Sequence, residues 1–397
     1  MSDLALSTQM LLADAARRHA EHARLHSTGT VHPIRLQSGE TAWLITGHEQ
    51  ARQALIDLRL QGRTATVGHG RRMPEDLRRA MNSHMLNVGP PDHTRLRRLV
   101  SAAFTRRRME QMRPRIQQLT DALLDEMDQP GAVDVLAGLA LPLPMQVLVD
   151  LFGIPAEDCD DFHLWSSTLT SSGSLPLQEM HAAAAQMVDY SRDLLERKRR
   201  HPEPDLLSAL VAVRDGEDRL SEDELTSMVF LLLTAGHETT VNLIGNGILA
   251  LLNHPEQLAR VRAEPDLVTT VVEETLRFDS PVQIALRHAT ETVELGGVEI
   301  PEGATVLVSL LGANRDPARF PDPGEFRLNR SDNAQLGFGY GFHHCIGAPL
   351  ARIEGAVAIG SLLRRFPDVR LARDADDLTW RASMIMHGLT DLPVHLR

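Results

Sequence analysis

The sequence predicts a mainly α protein with a small β portion. Three observations carry that prediction. The longest periodic segment, Ser221 to Leu252, opens on Ser221 with Glu224 three residues later, the signature of a capping box. Helix-length apolar patterns recur on both sides of it. Strand-like runs, by contrast, are short and broken by Ser38-Gly39-Glu40, Gly296-Gly297 and Pro301-Glu302-Gly303. With 397 residues and 43% apolar composition, the chain can bury a large core. It is expected to form one domain over residues 1–397.

The elements follow in order. Ala13 to Leu25 is alanine-rich and helical in pattern. His32 to Leu36 and Ala42 to Ile45 read as a hairpin, and His48 to Leu58 as a short helix. Gln61 to Val88 is irregular, and a long loop of this kind is more often functional than idle. Pro91 suits the start of a helix that runs to Phe104. Arg106 to Met127 reads as one helix, basic at its start and acidic at its end, which opposes the helix dipole. Leu141 to Phe152 is apolar and ends at Gly153-Ile154-Pro155. Phe162 to Thr170 and Leu177 to Arg199 are helices flanking Ser171-Ser172-Gly173-Ser174, a candidate lid hinge. Ser221 to Leu252 spans roughly 45–50 Å as one helix. Leu267 to Phe278 is a helix with Glu274 and Arg277 at salt-bridge spacing. Val282 to Arg287, Val293 to Leu295, Val298 to Ile300 and Thr305 to Ser309 are short strands, and Ala348 to Phe366 is a last helix.

Several function classes are excluded early. Net charge is −12, which disfavours nucleic-acid binding. Two cysteines give no disulfide framework and fit a reducing cytoplasm. The first residues lack the basic region of a secretory signal. No run of about 18 apolar residues suggests a membrane span.

Three stretches carry chemistry. Phe338 to Gly347 reads F-G-Y-G-F-H-H-C-I-G, with Cys345 among closely spaced glycines and just before a helix. Glycine lets a backbone approach a flat partner, and a helix N-terminus favours a negative sulfur. A dinucleotide loop needs G-x-G-x-x-G, which this spacing is not. Three adjacent residues, His343-His344-Cys345, do not converge readily on one zinc ion. A merely buried cysteine stays open on these residues alone. In the second stretch, His93 and Arg97 share a helix face after Pro90-Pro91, and the plain alternative is a solvated basic helix. In the third, Ala235-Gly236-His237-Glu238-Thr239-Thr240 interrupts an apolar helix with an acid and two hydroxyls. Such groups are costly to bury unless hydrogen-bonded. A kink around structural water is the plain alternative. A zinc-protease motif fails, because Val241 stands where the second histidine would be.

Together these stretches resemble the cytochrome P-450 superfamily. Phe338, Gly339, Gly341, His343, Cys345 and Gly347 match its haem-thiolate loop, and Ala235 to Thr240 matches its oxygen-binding helix. The likeness runs over nearly the whole chain and is closest in flavour to the soluble bacterial macrolide and secondary-metabolite hydroxylases. The resemblance implies the cytochrome P-450 fold and haem b (iron protoporphyrin IX) between the oxygen-binding helix and the Cys-ligand loop. Cys345 would be the axial iron ligand, pushing electron density toward O–O cleavage. His93, Arg97, Arg287 and His343 would hold the haem propionates. Phe338, Gly339 and Gly347 would shape the loop under the haem, and Ala235 and Gly236 would leave room for O2. Glu238 and Thr239 would be the acid–alcohol pair that relays protons. Glu274 and Arg277 would be a buried structural pair. Glu325 stands where many relatives have arginine, so Arg327 or Arg330 would supply its third member.

The implied reaction is insertion of one oxygen atom from O2 into an apolar substrate. Electrons would come from NAD(P)H through a ferredoxin reductase and a ferredoxin. Arg98, Arg106, Arg107 and Arg108 form a candidate docking patch for that acidic partner; a solvated face is the alternative. Met85, Leu86, Leu232, Val282, Ile284 and Ile385 are candidate substrate contacts. They are aliphatic or methionine, and aromatics make up only 4% of the chain. A sizeable adaptable pocket for a macrolide, terpenoid or steroid-like compound is expected. Epoxidation, desaturation or coupling would use the same residues. A haem-thiolate sensor or carrier without turnover, or a peroxide-driven enzyme, would not need the intact Glu238–Thr239 pair. A monomer in the cytoplasm, with no membrane or nucleic-acid partner, is expected.

Overall fold

The computed structural model describes residues 15–36, 38–62, 74–170, 176–212 and 220–397. The candidate hinge Ser171 to Ser174, the middle of the Gln61 to Val88 loop and the start of the first helix lie outside them.

The hairpin forms as expected. Val31–Arg35 pairs antiparallel with Thr41–Ile45, Val31 facing Ile45. Thr41–Ile45 then pairs parallel with Thr305–Ser309, which pairs antiparallel with Ile284–Ala289, and Leu60–Gly62 forms the far edge. Thr305–Ser309 is buried at every position because it is the central strand. A two-stranded hairpin, Val293–Leu295 with Val298–Ile300, turns at Gly296 and Gly297, whose φ of 58° and 76° suit glycine. A small sheet joins Ala132–Asp134, Pro393–His395 and Arg370–Leu371.

The helical core is built around Ala348–Arg365. It packs against Arg113–Met127, Glu238–Leu252 and Val268–Phe278. One large apolar cluster runs through these helices and into Pro142–Phe152, Leu177–Arg200 and Glu222–Gly236. Among the described residues no helix is long and apolar enough to cross a membrane.

Two expected helices are each divided in two. The Ser221 to Leu252 segment keeps its capping box, with Glu224 N donating to Ser221 Oγ at 3.2 Å and Ser221 N to Glu224 Oε2 at 2.8 Å. It breaks at His237, however, into Glu222–Gly236 and Glu238–Leu252. At the break the Thr239 hydroxyl donates to Ala235 O at 3.1 Å, a side-chain bond that bends helices. Arg106 to Met127 breaks at Met112 into Arg106–Gln111 and Arg113–Met127. Pro114 has no N–H to continue the ladder. The adverse charge order of this segment is answered by tertiary pairs: Arg115 with Asp150 at 2.6 Å, Arg365 with Asp125 at 2.5 Å and Arg397 with Asp128 at 2.7 Å.

Glu274 and Arg277 are both fully buried and paired in fork geometry, at 2.7 and 2.9 Å. Arg277 also donates to the carbonyls of Asn314, Pro323 and Glu325 at 3.2, 2.9 and 2.8 Å. The third member is Arg330. Its Nε donates to Glu274 Oε1 at 2.9 Å, and its other nitrogens bond the carbonyls of Pro321, Asp322 and Glu325. Arg327 gives Glu274 only its backbone N–H, at 2.9 Å, while its side chain pairs with Asp322 and Glu325.

Two predictions follow from this packing. Removing one partner of a buried charge network costs about 3–5 kcal/mol, whereas an exposed pair is worth under about 1 kcal/mol. Urea unfolding should therefore show Arg330→Ala destabilised by about 3 kcal/mol or more and Arg327→Ala hardly affected; equal losses would overturn the assignment. The second concerns acid. Burial pushes His22 down to about 3 and His387 down to about 4, below an unfolded value near 6.5. The unfolded chain binds more protons between those values, so stability is full above about pH 6.5 and is lost as pH falls toward 4. A thermal melting midpoint that stays level from pH 7 to 4 would contradict this.

Candidate active site

The loop before Ala348–Arg365 is held by two backbone bonds, Gly339 N to Leu336 O at 2.7 Å and Cys345 N to Phe338 O at 2.8 Å. Gly339 and Gly341 have φ of 73° and 70°, which other residues rarely adopt. The Cys345 side chain is accessible, yet protein surrounds it. That burial pushes its thiol up, while the N–H groups of Gly347 and Ala348 and the nearby Arg97 and Arg352 guanidinium groups oppose the rise. The Phe338 ring carries the Arg352 guanidinium at 4.6 Å, and Arg352 is anchored on Glu273 at 2.6 Å.

Four cationic or donor side chains gather on the same side of the molecule as Cys345. His93 is buried, and neither ring nitrogen has a hydrogen-bond partner. Its ring centroid lies 4.6 Å from that of His343. Burial, then Arg287, His93 and Arg97, push His343 down to about 3. Arg287 comes from the strand Ile284–Ala289, opposite Val306 and Gly62. It is buried, and burial lowers it to about 10. Among the described residues neither Arg97 nor Arg287 pairs with a carboxylate. Clustered donors without an anion, beside one imidazole with neither nitrogen partnered, fit a ligand that brings carboxylates. A thiol near a helix N-terminus fits a soft metal on the same ligand. The residues present thus fit haem b.

Ala235 and Gly236 lie at the break between the two helices. A Cβ at Gly236 would meet Leu148 at 3.0 Å. Glu238 is 1% exposed and bonds Arg381, and it makes no hydrogen bond to Thr239 among the described residues. His237 is fully buried, with Nε2 3.0 Å from Ser166 Oγ on the neighbouring helix Cys159–Thr170. Arg381 and Ser166 were not among the residues singled out from sequence, and His237 entered only as a member of the Ala235–Thr240 stretch. No motif marks Arg381, and its place beside Glu238 depends on a contact across 143 residues.

The candidate substrate residues separate. Met85 and Leu232 are buried in the large helical cluster, and Leu86 is 44% exposed. Val282 bridges Met386, and Gln283 N donates to Ile385 O at 2.8 Å, so the tail turn sits beside this strand. Ile284 packs instead with Leu25, Ile34, Leu44 and Leu307, in an apolar cluster apart from Leu232.

Comparison with known proteins identifies the family. The family model described as Cytochrome P450 matches residues 174–379. The chain is 49% identical to Cytochrome P450 107B1 of Saccharopolyspora erythraea, over 96% of both chains. It is 45% identical to 6-deoxyerythronolide B hydroxylase of the same organism, over 94% of this chain and 95% of the relative. The solved structure of the tirandamycin C-bound P450 monooxygenase TamI matches with a TM-score of 0.87 at 42% identity, covering 99% of this chain and 100% of that one. The chain belongs to the cytochrome P450 family: it is a monooxygenase whose cofactor is haem b, bound through a cysteine thiolate.

Proposed function

We propose that Cys345 is the axial ligand, that His93, Arg97, Arg287 and His343 hold the propionates, and that the enzyme hydroxylates a macrolide, terpenoid or steroid-like compound as a single-domain monomer in the cytoplasm. The observation that carries the reading is the set of four donors without an anion beside a thiol at a helix N-terminus. Bound haem supplies dioxygen activation and oxygen-atom transfer. The chain supplies the rest. The N–H groups of Gly347 and Ala348 favour a thiolate at Cys345. The break at His237 parts the helix beside exposed Ala235, while Gly236 lets Leu148 pack close. Glu238 holds a proton at its carboxyl and Thr239 passes it at Oγ1, so water need not enter freely. Met85, Leu232, Val282 and Ile385 offer apolar surface that orients the substrate.

The substrate class is supported by two things. The candidate lining is aliphatic. Relatives are named for such compounds: 6-deoxyerythronolide B hydroxylase, Vitamin D(3) 25-hydroxylase of Pseudonocardia autotrophica and Mycinamicin IV hydroxylase/epoxidase of Micromonospora griseorubida. The last name carries both outcomes, so epoxidation with the same residues is the second reading. The chain takes electrons from redox partners, and we infer a ferredoxin. Arg98, Arg106 and Arg107 are exposed. Arg106 also lines a cleft with Arg113, Arg327 and Arg352, against the helix that follows Cys345.

Three outcomes test this reading. Cys345→Ser protein, reduced and treated with carbon monoxide, should lose the red-shifted Soret band of thiolate ligation. Thr239→Ala should lower product per NADPH by about tenfold or more while peroxide rises; tight coupling there would remove the relay. Arg98→Glu with Arg106→Glu should raise the apparent KM for the ferredoxin, more so at low salt. An unchanged KM would move the docking face elsewhere.

A further inference from the structure

The first turn of Glu222–Gly236 carries three successive acids, and each pairs with an arginine from a different element. Glu222 takes Arg199 at the end of Leu177–Arg200, one guanidinium nitrogen lying 2.6 Å from both carboxylate oxygens. Asp223 lies 3.9 Å from Arg79 of Glu75–Asn82. Glu224 takes Arg95 of Asp92–Ala103. The three pairs are not equal. Glu222 is 74% exposed and Arg79 59% exposed, and an ion pair standing in water is worth little. Arg95 and Glu224 are 24% and 19% exposed, and charges partly out of water are screened less.

Glu224 is also held at its other oxygen. Oε2 accepts the Ser221 N–H of the capping box at 2.8 Å, while Oε1 accepts from Arg95 Nη2. The carboxylate is thus a fixed point on the long helix. Arg95 stands two residues from His93 and two from Arg97, about half a turn round the helix from both. The helix therefore turns His93 and Arg97 one way and Arg95 the other, and its rotation about its own axis decides where the two donors point. Leu96, Val100 and Ala103 pack this helix into the large apolar cluster, but apolar contact is non-directional. A charge-assisted hydrogen bond has a direction.

We propose that Glu224 is a positioning residue for the haem donors: through Arg95 it sets the rotation of Asp92–Ala103, so that His93 and Arg97 face the propionates. The inference rests on the reading of His93 and Arg97 as propionate donors and adds the residue that aims them. Glu224 joins two elements of the site in this way. The helix that reaches the break at His237 with its far end holds the propionate helix with its first turn.

The test is the rate at which the ferric haem-loaded protein gives up haem to excess apomyoglobin, read with its Soret circular dichroism. Glu224→Gln keeps the capping box, which glutamine serves as well, and removes only the charge. Glu224→Gln and Arg95→Gln should each lose haem at least about threefold faster. The double variant should be no faster than the faster single one. Both singles should change the Soret dichroism, and Arg95→Lys, which keeps the charge, should restore it toward wild type. Added salt should speed haem loss from wild type more than from Glu224→Gln. Arg79→Gln breaks the exposed pair on the next acid and should lose haem at the wild-type rate. An unchanged rate and dichroism in Glu224→Gln, additive effects in the double variant, or the same acceleration in Arg79→Gln overturns the proposal. His93→Ala and Arg97→Ala test the underlying reading, and both should lose haem faster than Glu224→Gln. If they hold haem as wild type does, the donor assignment falls and the proposal with it; if they lose it and Glu224→Gln does not, the proposal alone falls.

Discussion

A single buried carboxylate, Glu274, determines where the thiol can sit. With Arg277 and Arg330 it forms a three-residue charge network that ties Val268–Phe278 to the loop through Pro321–Glu325. Asn314 extends the tie: its Nδ2 donates to Leu276 O at 3.1 Å and its Oδ1 accepts Leu336 N at 2.7 Å. Gly337 then passes so close that a Cβ there would lie 2.9 Å from Leu276 O. The Cys345 loop thus rests on the end of that helix through backbone contacts. Taking these charges out of water is expensive, and burial lowers Arg277 below its ordinary range while Glu274 opposes that fall. The carbonyls bonded to both arginines offset part of the cost. Geometry, more than net stability, is what such a network provides.

A second constraint acts on the helix pair that meets at His237. A helix as apolar as Leu225 to Leu233 hides its backbone on all sides, and an acid inside it needs an outlet. The break at His237 provides one. Carbonyl acceptors there meet a hydroxyl and an imidazole, Thr239 Oγ1 on Ala235 O and His237 Nδ1 3.4 Å from Leu233 O. Through Ser166 the same imidazole reaches the Cys159–Thr170 helix, and its ring lies 5.3 Å from Phe162. The polar break is therefore braced from a neighbouring helix as well as from the tail.

What was legible from sequence divides along a physical line. Local rules located the elements: the Ser221 capping box, the Gly296-Gly297 turn and the alternation of the hairpin all act within a few residues. Short motifs singled out Cys345, His93, Arg97, Glu238 and Thr239 as candidates, because each stands at a fixed spacing from its neighbours. Tertiary pairing did not show. Nothing local distinguishes Arg330 from Arg327, since only burial does. Arg381 is an unremarked arginine until the tail is laid on the helix. A kink at Ala235–Thr240 entered only as the plain alternative, and the break at Met112 was missed because apolar periodicity continues through it. The hydrogen-bond ladder does not.

One cluster shows how donor chemistry overrides apparent convergence. His19, Asp279 and His387 bring three ligand atoms within 4.8 Å of one another, the outline of a cation site. Hydrogen bonding speaks against that use. Arg18 Nη1 bonds His387 Nδ1, and a guanidinium only donates, so Nδ1 accepts and the ring proton sits on Nε2. That proton points at Asp279 Oδ1, 2.9 Å away. A cation at Nε2 would need the proton moved to Nδ1, against a fixed positive donor. Asp279 also accepts from His19 Nε2 at 2.7 Å, which leaves a carboxylate already served by two rings. The cluster is better understood as an ion pair with an imidazole set between its charges. It fastens the first helix, through Arg18 and His19, to the end of Val268–Phe278 and to the tail at His387. Asn246 completes the fastening with bonds to Asp279 O and His387 O, both at 3.0 Å. The tail that carries Ile385 and Arg381 is thereby held against the helix that carries Glu238.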